Sequence, residues 1–243
     1  MTIDFFWLGG TGAGNWVEGV SAAFRDALDD RFTFHYLEYP AAYGSPAYGE
    51  SNTIGRRIVL DAIRNTPNRA CCGGFSQGAA AAGDAAMEIG AGLHPGLELD
   101  AVALIADPLR PVGGTMPGLA PADGWGIAGA RPIVGRGIKT YWAANPADVI
   151  TSAGAGSPLR SLADFTEMFS LGSPEEADAW MRALIARAKE RRWQRWWSIE
   201  NVLTWGGAIA DATGYLTGRH TTDYVAQGLV ARLADAVNIG VSA

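Results

Sequence analysis

The residues with the clearest chemical meaning form the pentapeptide Gly74-Phe75-Ser76-Gln77-Gly78. A short apolar run precedes it and an alanine-rich run follows it, so the local pattern predicts a strand, a sharp turn and a helix. A serine at such a turn has a strained backbone, and glycines fit beside it because they lack Cβ atoms. This context predicts that Ser76 is a nucleophile rather than part of a structural glycine-rich turn.

A serine nucleophile needs a base within hydrogen-bond reach and an acid that orients the base. The chain offers three histidines as bases: His35, His94 and His220. His35 lies in a predicted strand before the nucleophile, and His94 lies near the end of the helix that follows Ser76. His220 lies in a loop well after Ser76 and before a predicted last helix, residues 222–238. This order favours His220 as the base.

Two aspartates could supply the acid, because both follow predicted strands. Asp148 comes after the fifth strand, two strands beyond the one that leads to the nucleophile. Asp107 comes after the strand next to the nucleophile strand, and the adjoining Pro108 is typical of a structural turn. We favour Asp148 as the acid and keep Asp107 as the alternative.

An oxyanion hole needs two backbone N–H groups directed at the charge that develops on the carbonyl oxygen. Gln77, directly after the nucleophile, can supply one of them. Thr11, in the glycine-rich turn at residues 9–14, can supply the other. A phosphate-binding loop is the competing interpretation of that turn, but the Gly-Lys-Ser/Thr ending of such loops is missing.

Apolar segments at residues 3–8, 32–37, 69–73, 100–106 and 137–143 predict five strands, with helical segments between most of them. Repeated strand-then-helix units indicate a mostly parallel sheet covered by helices on both faces. The pattern changes after residue 150, and Ser173-Pro174-Glu175-Glu176 is a strong signal for the start of a helix. We therefore predict an α/β core formed by residues 1–155 and 217–243, interrupted by a helical insertion at residues 156–216.

Composition argues against several other classes of protein. The net charge of −6 argues against a general nucleic-acid binder, and no apolar run is long enough to span a membrane. The N-terminus lacks a basic region, so we expect no Sec-type signal peptide. The histidines do not have metal-site spacing, and the adjacent Cys71 and Cys72 are expected to be buried thiols. We expect neither a metal nor a cofactor.

Several segments resemble the cutinase-like serine esterases: an early Gly-Gly-Thr-Gly turn, Gly-Phe-Ser-Gln-Gly-Ala, Ala-Asp-Pro-Leu-Arg-Pro, and Gly-Arg-His-Thr-Thr-Asp-Tyr at residues 218–224. The predicted insertion resembles the linker domain of the lysin B family of mycobacteriophages. This resemblance implies a cutinase-like α/β-hydrolase fold with the insertion between acid and histidine. By the same resemblance Ser76, Asp148 and His220 correspond to the catalytic triad, and Thr11 and Gln77 to the oxyanion hole.

The resemblance also implies an activity, namely hydrolysis of the ester that links mycolic acids to arabinogalactan during phage lysis. We then expect a monomer made in the host cytoplasm, acting at the mycobacterial envelope after release, in peripheral contact with the outer membrane. A general cutinase- or lipase-like esterase for other lipid esters is the main alternative. A non-catalytic binding protein with a hydrolase fold is a remote one.

Tryptophans are numerous, at nine, and five of them lie in or beside the predicted insertion: Trp180, Trp193, Trp196, Trp197 and Trp205. Aromatic side chains stack on sugar faces and are stable at lipid–water boundaries. They could equally pack the insertion against the α/β core. Both roles stay open at the level of sequence.

Overall fold

In the computed structural model of this chain, the described residues are 2–13, 17, 19–42, 45–157 and 218–242. The predicted insertion lies almost entirely outside them, so its helices and its boundaries stay predictions. The five tryptophans of that segment lie outside the described residues as well. Within the described residues, no helix is both long and apolar enough to cross a membrane.

Five parallel strands form the central sheet: β1 (Ile3–Leu8), β2 (Phe32–Tyr36), β3 (Arg69–Phe75), β4 (Ala101–Ile105) and β5 (Lys139–Ala143). Their order across the sheet is β2-β1-β3-β4-β5, and each neighbouring pair runs parallel. Residues of β1 and β4 are buried throughout, as is usual for parallel strands with helices on both faces. The predicted α/β sheet is confirmed.

The described part of the chain has five helices beside the sheet: α1 (Gly19–Ala27), α2 (Tyr48–Asn65), α3 (Gln77–Gly90), α4 (Thr222–Ala226) and α5 (Leu229–Gly240). Helices α1 and α5 pack on one face, and α2 and α3 pack on the other. Successive side chains of a strand point to opposite faces of the sheet. Phe5 and Trp7 therefore pack in the layer under α1 and α5, while Phe6 and Leu8 pack in the layer under α2 and α3. The sheet therefore separates two hydrophobic layers.

The adjacent cysteines follow the same alternation along β3. Cys71 belongs to the layer under α1 and α5, and Cys72 belongs to the layer under α2 and α3. Both are free and buried, and burial raises the pKa of Cys71 to about 12. These thiols therefore pack as small apolar side chains, as predicted from sequence.

The C-terminal helix predicted at residues 222–238 is in fact two helices. Gly228 has a φ of +70°, in the left-handed region, and it separates α4 from α5. Because of this break, α4 and α5 are separate helices. The short helix α4 follows the loop that carries His220, and α5 packs against the sheet.

The sheet topology places the two glycine-containing turns side by side. Parallel strands end at the same edge, and β1 and β3 are neighbours. The chain leaves β1 for α1 on one face and leaves β3 for α3 on the other. A crevice at such a switch point is the usual ligand site of parallel α/β sheets. The turn after β1 and Ser76 after β3 therefore meet there.

A buried arginine organises the long loop between β4 and β5. Arg110 is fully buried, and burial lowers the pKa of its guanidinium. Its nitrogen atoms donate to backbone carbonyl groups of Gly114, Ala122, Asp123, Gly124 and Thr151. The Nε–Thr151 O distance is 2.8 Å. Because Thr151 lies three residues after Asp148, this arginine also anchors the segment that carries the predicted acid.

We expect Arg110→Lys to lower the free energy of unfolding by about 2–4 kcal/mol, because an ammonium lacks the planar fork that reaches several carbonyls together. Urea unfolding measures the loss. Arg64→Lys is the matched control, since Arg64 forms an exposed ion pair with Asp61, and its effect should stay within about 0.5 kcal/mol. Equal losses in the two variants would contradict the role given to Arg110.

Candidate active site

The turn at Ser76 has the strained geometry of a nucleophile elbow. Ser76 has φ +55° and ψ −117°, and its backbone N–H donates to Ile105 O at 2.9 Å. A Cβ on Gly74 would lie 2.3 Å from the Gly78 carbonyl carbon, and one on Gly78 would lie 2.2 Å from Leu8 O. Both glycines are thus required by close backbone contacts, as the pentapeptide predicted.

The structure brings Ser76, His220 and Asp148 together in one line of hydrogen bonds. Nε2 of His220 lies 2.8 Å from Ser76 Oγ, and Nδ1 lies 2.8 Å from Asp148 Oδ2. His220 and Asp148 are both buried. When Nδ1 carries the proton and donates to the carboxylate, Nε2 is left to accept the proton of the Ser76 hydroxyl. This arrangement can generate a serine alkoxide for attack on a carbonyl carbon.

The carboxylate of Asp148 accepts more hydrogen bonds than the one from His220. Its Oδ1 accepts the Ile150 N–H at 3.0 Å, and its Oδ2 accepts the Tyr224 hydroxyl at 2.7 Å. The Asn145 N–H donates to the Tyr224 hydroxyl oxygen at 3.2 Å. Burial and the charge of Asp148 raise the pKa of Tyr224 well above its usual value. The phenol therefore stays protonated and donates to the carboxylate.

Asn145 links the loop that carries Asp148 to the loop that carries His220. Its side-chain amide donates to Arg219 O at 2.9 Å, and its Oδ1 accepts the Ala147 N–H at 3.0 Å. Sequence reasoning assigned no role to Asn145 or Tyr224. The only local signal is that Tyr224 follows His220 by four residues, since its contact with Asp148 spans 76 residues of chain.

Phe75 packs against the imidazole of His220, with ring centroids 5.3 Å apart. A Cβ on Gly10 would lie 2.9 Å from the Phe75 ring and 3.4 Å from Ser76 Cβ. The glycine-rich turn after β1 therefore lies directly beside the nucleophile. Gly10 is needed for this close approach.

The two predicted oxyanion-hole residues, Thr11 and Gln77, are linked to each other. The Thr11 hydroxyl donates to Gln77 Oε1 at 3.1 Å, and Gln77 Nε2 donates to Ala42 O at 2.9 Å. The Gly12 N–H donates to Ala41 O at 2.8 Å. Within the described residues, no backbone carbonyl accepts a hydrogen bond from the Thr11 N–H or the Gln77 N–H. These are the two N–H groups that the predicted oxyanion hole requires.

Asp107, the alternative acid, is engaged elsewhere. It is fully buried, and its Oδ2 accepts from Arg131 Nη2 at 2.7 Å and from Trp142 Nε1 at 3.0 Å. Its Oδ1 accepts the Leu109 N–H at 2.9 Å. These partners make Asp107 half of a buried ion pair that joins the long loop to the sheet. The geometry therefore favours Asp148 over Asp107 as the partner of the base.

The two other histidines form hydrogen bonds with carboxylates away from Ser76. His35 Nε2 lies 2.9 Å from Asp4 Oδ1, and His94 Nε2 lies 2.7 Å from Glu88 Oε2. In the part of the chain that the structure describes, no three His, Cys, Asp or Glu side chains are grouped as ligands of a metal ion. The candidate site among the described residues is therefore the cluster around Ser76.

No family model and no curated protein sequence matches this chain. Among solved structures, it is similar to lysin B from Mycobacteriophage D29, with 18% identity, 88% of this chain and 90% of that chain covered, and a TM-score of 0.51. A cutinase-like protein from Cryptococcus sp. has 15% identity, 77% and 90% coverage and a TM-score of 0.46. Trichoderma reesei cutinase has 19% identity, 76% and 75% coverage and a TM-score of 0.43.

The chain has an α/β-hydrolase fold. At these identities the likeness is one of fold, so any role for Ser76, His220 and Asp148 is argued from their geometry. The predicted fold class is confirmed, with a parallel sheet of five strands and helices on both faces.

We expect Asp148→Asn to lower kcat on a short p-nitrophenyl ester by about 10⁴-fold, because the amide offers His220 the wrong partner. Asp107→Asn should instead lower the free energy of unfolding by about 1–3 kcal/mol, since it removes one of the two carboxylates that pair with buried Arg131 and leaves Asp84 as the other. Steady-state kinetics and thermal unfolding of both variants separate the two roles. A reversal of the two phenotypes would show that Asp107 is the acid.

Proposed function

We propose that this protein is a serine carboxylester hydrolase. The observation that carries the proposal is the line of hydrogen bonds from Ser76 through His220 to Asp148, placed at a strained elbow. The fold that the chain shares with lysin B from Mycobacteriophage D29 agrees with this activity. Geometry of this kind serves acyl transfer, whatever the acyl chain.

The reaction begins when Ser76 Oγ attacks the ester carbonyl carbon and His220 Nε2 takes the hydroxyl proton. The N–H groups of Thr11 and Gln77 stabilise the oxyanion of the tetrahedral intermediate. The intermediate collapses as His220 gives its proton to the leaving alcohol, and an acyl-enzyme remains. Water then attacks the acyl carbon with His220 as base, the acid leaves, and Ser76 is restored. Asp148 holds the ring and stabilises its charged form.

We further propose that the physiological ester joins mycolic acids to arabinogalactan in the mycobacterial envelope. The support is the sequence segments that resemble lysin B and the likeness in fold to lysin B from Mycobacteriophage D29. The predicted tryptophan-rich insertion adds chemistry that suits a sugar polymer and a long lipid. In the chain it lies between Asp148 and His220, the two residues that complete the line of hydrogen bonds from Ser76.

On this proposal the protein is made in the host cytoplasm and acts at the envelope during phage lysis, in peripheral contact with the outer membrane. The competing function is a general cutinase- or lipase-like esterase. It would use the same triad and the same oxyanion donors, because the relay recognises the ester group and not the remainder of the substrate. The two functions therefore differ in substrate alone.

Ser76→Ala should lower kcat on a short p-nitrophenyl ester by about 10³-fold or more. A fluorophosphonate probe should label wild-type protein at Ser76, as located by peptide mass spectrometry, and should leave Ser76→Ala unlabelled. Ser242→Ala is the control, since Ser242 is exposed near the C-terminus, and it should be labelled and active like wild type. Stoichiometric labelling of Ser76→Ala would place the nucleophile elsewhere.

Incubation with delipidated mycobacterial cell wall tests the substrate. Wild-type protein should release free mycolic acids, detected by mass spectrometry, and Ser76→Ala should release none, because release requires the acyl-enzyme. Triacylglycerols and a short p-nitrophenyl ester are assayed beside it. Hydrolysis of these esters without release of any mycolic acid would contradict the proposed substrate and favour the general esterase.

A further inference from the structure

The carboxylate oxygen that faces the base has a second hydrogen-bond donor. Oδ2 of Asp148 accepts from His220 Nδ1 at 2.8 Å and from the Tyr224 hydroxyl at 2.7 Å. We propose that Tyr224 is a positioning residue for the esterase reaction: its hydroxyl holds Oδ2 against His220 and limits how strongly the imidazole retains a proton. This inference rests on the proposed function, since it concerns the same triad.

The direction of the Tyr224 hydroxyl proton follows from its neighbours. The Asn145 N–H donates to the hydroxyl oxygen at 3.2 Å, so the hydroxyl acts there as an acceptor. Its own proton is then left for Asp148 Oδ2. Tyr224 is fully buried, which shields the hydroxyl from bulk solvent. The phenol is thus a fixed donor to the carboxylate.

Both oxygens of the Asp148 carboxylate are consequently held. Oδ1 accepts the Ile150 N–H at 3.0 Å, while Oδ2 accepts from Tyr224 and from His220. Rotation of the carboxylate about its Cβ–Cγ bond would turn Oδ2 away from the ring. Such a rotation breaks the hydrogen bonds from Ile150 and His220, and with Tyr224 in place it also breaks a third, each of them a bond to a charged group.

The same hydroxyl weakens the electrostatic pull of Asp148 on the imidazolium. A donor to Oδ2 stabilises the carboxylate charge and shares it, so the charge available to His220 is reduced. A general base works best when it releases its proton near the working pH. Removing the hydroxyl should therefore make His220 retain its proton to higher pH and should loosen its orientation.

The other charged groups near this cluster are the same in wild-type protein and in a variant that lacks only the Tyr224 hydroxyl. Arg110 acts on Tyr224 from the long loop, and Arg219 and Asp223 adjoin His220 along the chain. Two pairs of charged residues lie on the neighbouring helices. On α1, Arg25 pairs with Asp26, and on α5, Arg232 and Asp235 are exposed. A difference between wild type and a variant that lacks only the hydroxyl therefore reports the hydroxyl.

Tyr224→Phe keeps the buried ring and removes the donor. Tyr141→Phe is the matched control, because Tyr141 is also buried and its hydroxyl lies beside Gly240, with no hydrogen bond to the triad. The chain has only three histidines, so the His220 ring can be followed by ¹⁵N NMR after selective labelling. This measurement does not require turnover.

In Tyr224→Phe the NMR titration midpoint of the His220 ring should rise by about 0.5–1 pH unit, and the acidic limb of kcat/KM should move with it. Turnover should fall by about tenfold, while KM stays within about twofold. Tyr141→Phe should match wild type in every measurement. Equal midpoints in Tyr224→Phe and Tyr141→Phe would overturn the proposal.

Replacement of Tyr224 by 2,3-difluorotyrosine gives a second, opposite test. The fluorinated phenol is a stronger donor of similar size, so it should lower the His220 midpoint. An unchanged midpoint overturns the proposal even if Tyr224→Phe does not fold. Wild-type protein that hydrolyses no ester would instead overturn the proposed function, while the NMR midpoints still decide the role of Tyr224.

Discussion

The buried carboxylate of Asp148 is the constraint on which the loop after β5, the loop at His220 and α4 all depend. A carboxylate removed from water is stable only when its oxygens are hydrogen-bonded. Asp148 meets this need with the Ile150 N–H, the Tyr224 hydroxyl and His220. These partners come from the loop after β5, from α4 and from the loop before it. Satisfying one charge therefore joins chain segments that are far apart in sequence.

A second constraint lies on the other side of the base. The positive φ of Ser76 costs conformational energy, and the surrounding packing maintains it. The Ser76 N–H is bonded to the end of β4, and Gly78 lies against the carbonyl group of Leu8 at the end of β1. The nucleophile is thus fixed to the sheet, whereas Asp148 and His220 are fixed to each other. The serine–histidine hydrogen bond connects these two rigid parts.

The groups around Ser76 can recognise an ester group, but they do not select one ester over another. In the proposed reaction the hydrogen-bonded relay and the N–H groups of Thr11 and Gln77 act on the ester group itself, which most esters present alike. Selectivity then has to come from groups that contact the acyl chain and the alcohol. The predicted insertion lies in the chain between Asp148 and His220, and we propose it as the source of such groups.

Local patterns in the sequence predicted the five strands, their parallel arrangement and the sharp turn at Ser76, because strands and turns of this kind depend on contiguous residues. The break at Gly228 was missed, since one glycine inside a helical pattern is often tolerated. Chain order ranked Asp148 above Asp107 but could not exclude Asp107. Only the tertiary structure decided between them, because Arg131 satisfies Asp107 whereas Tyr224 and His220 satisfy Asp148. Which donors surround a buried charge is a matter of long-range contact, and no local pattern encodes it.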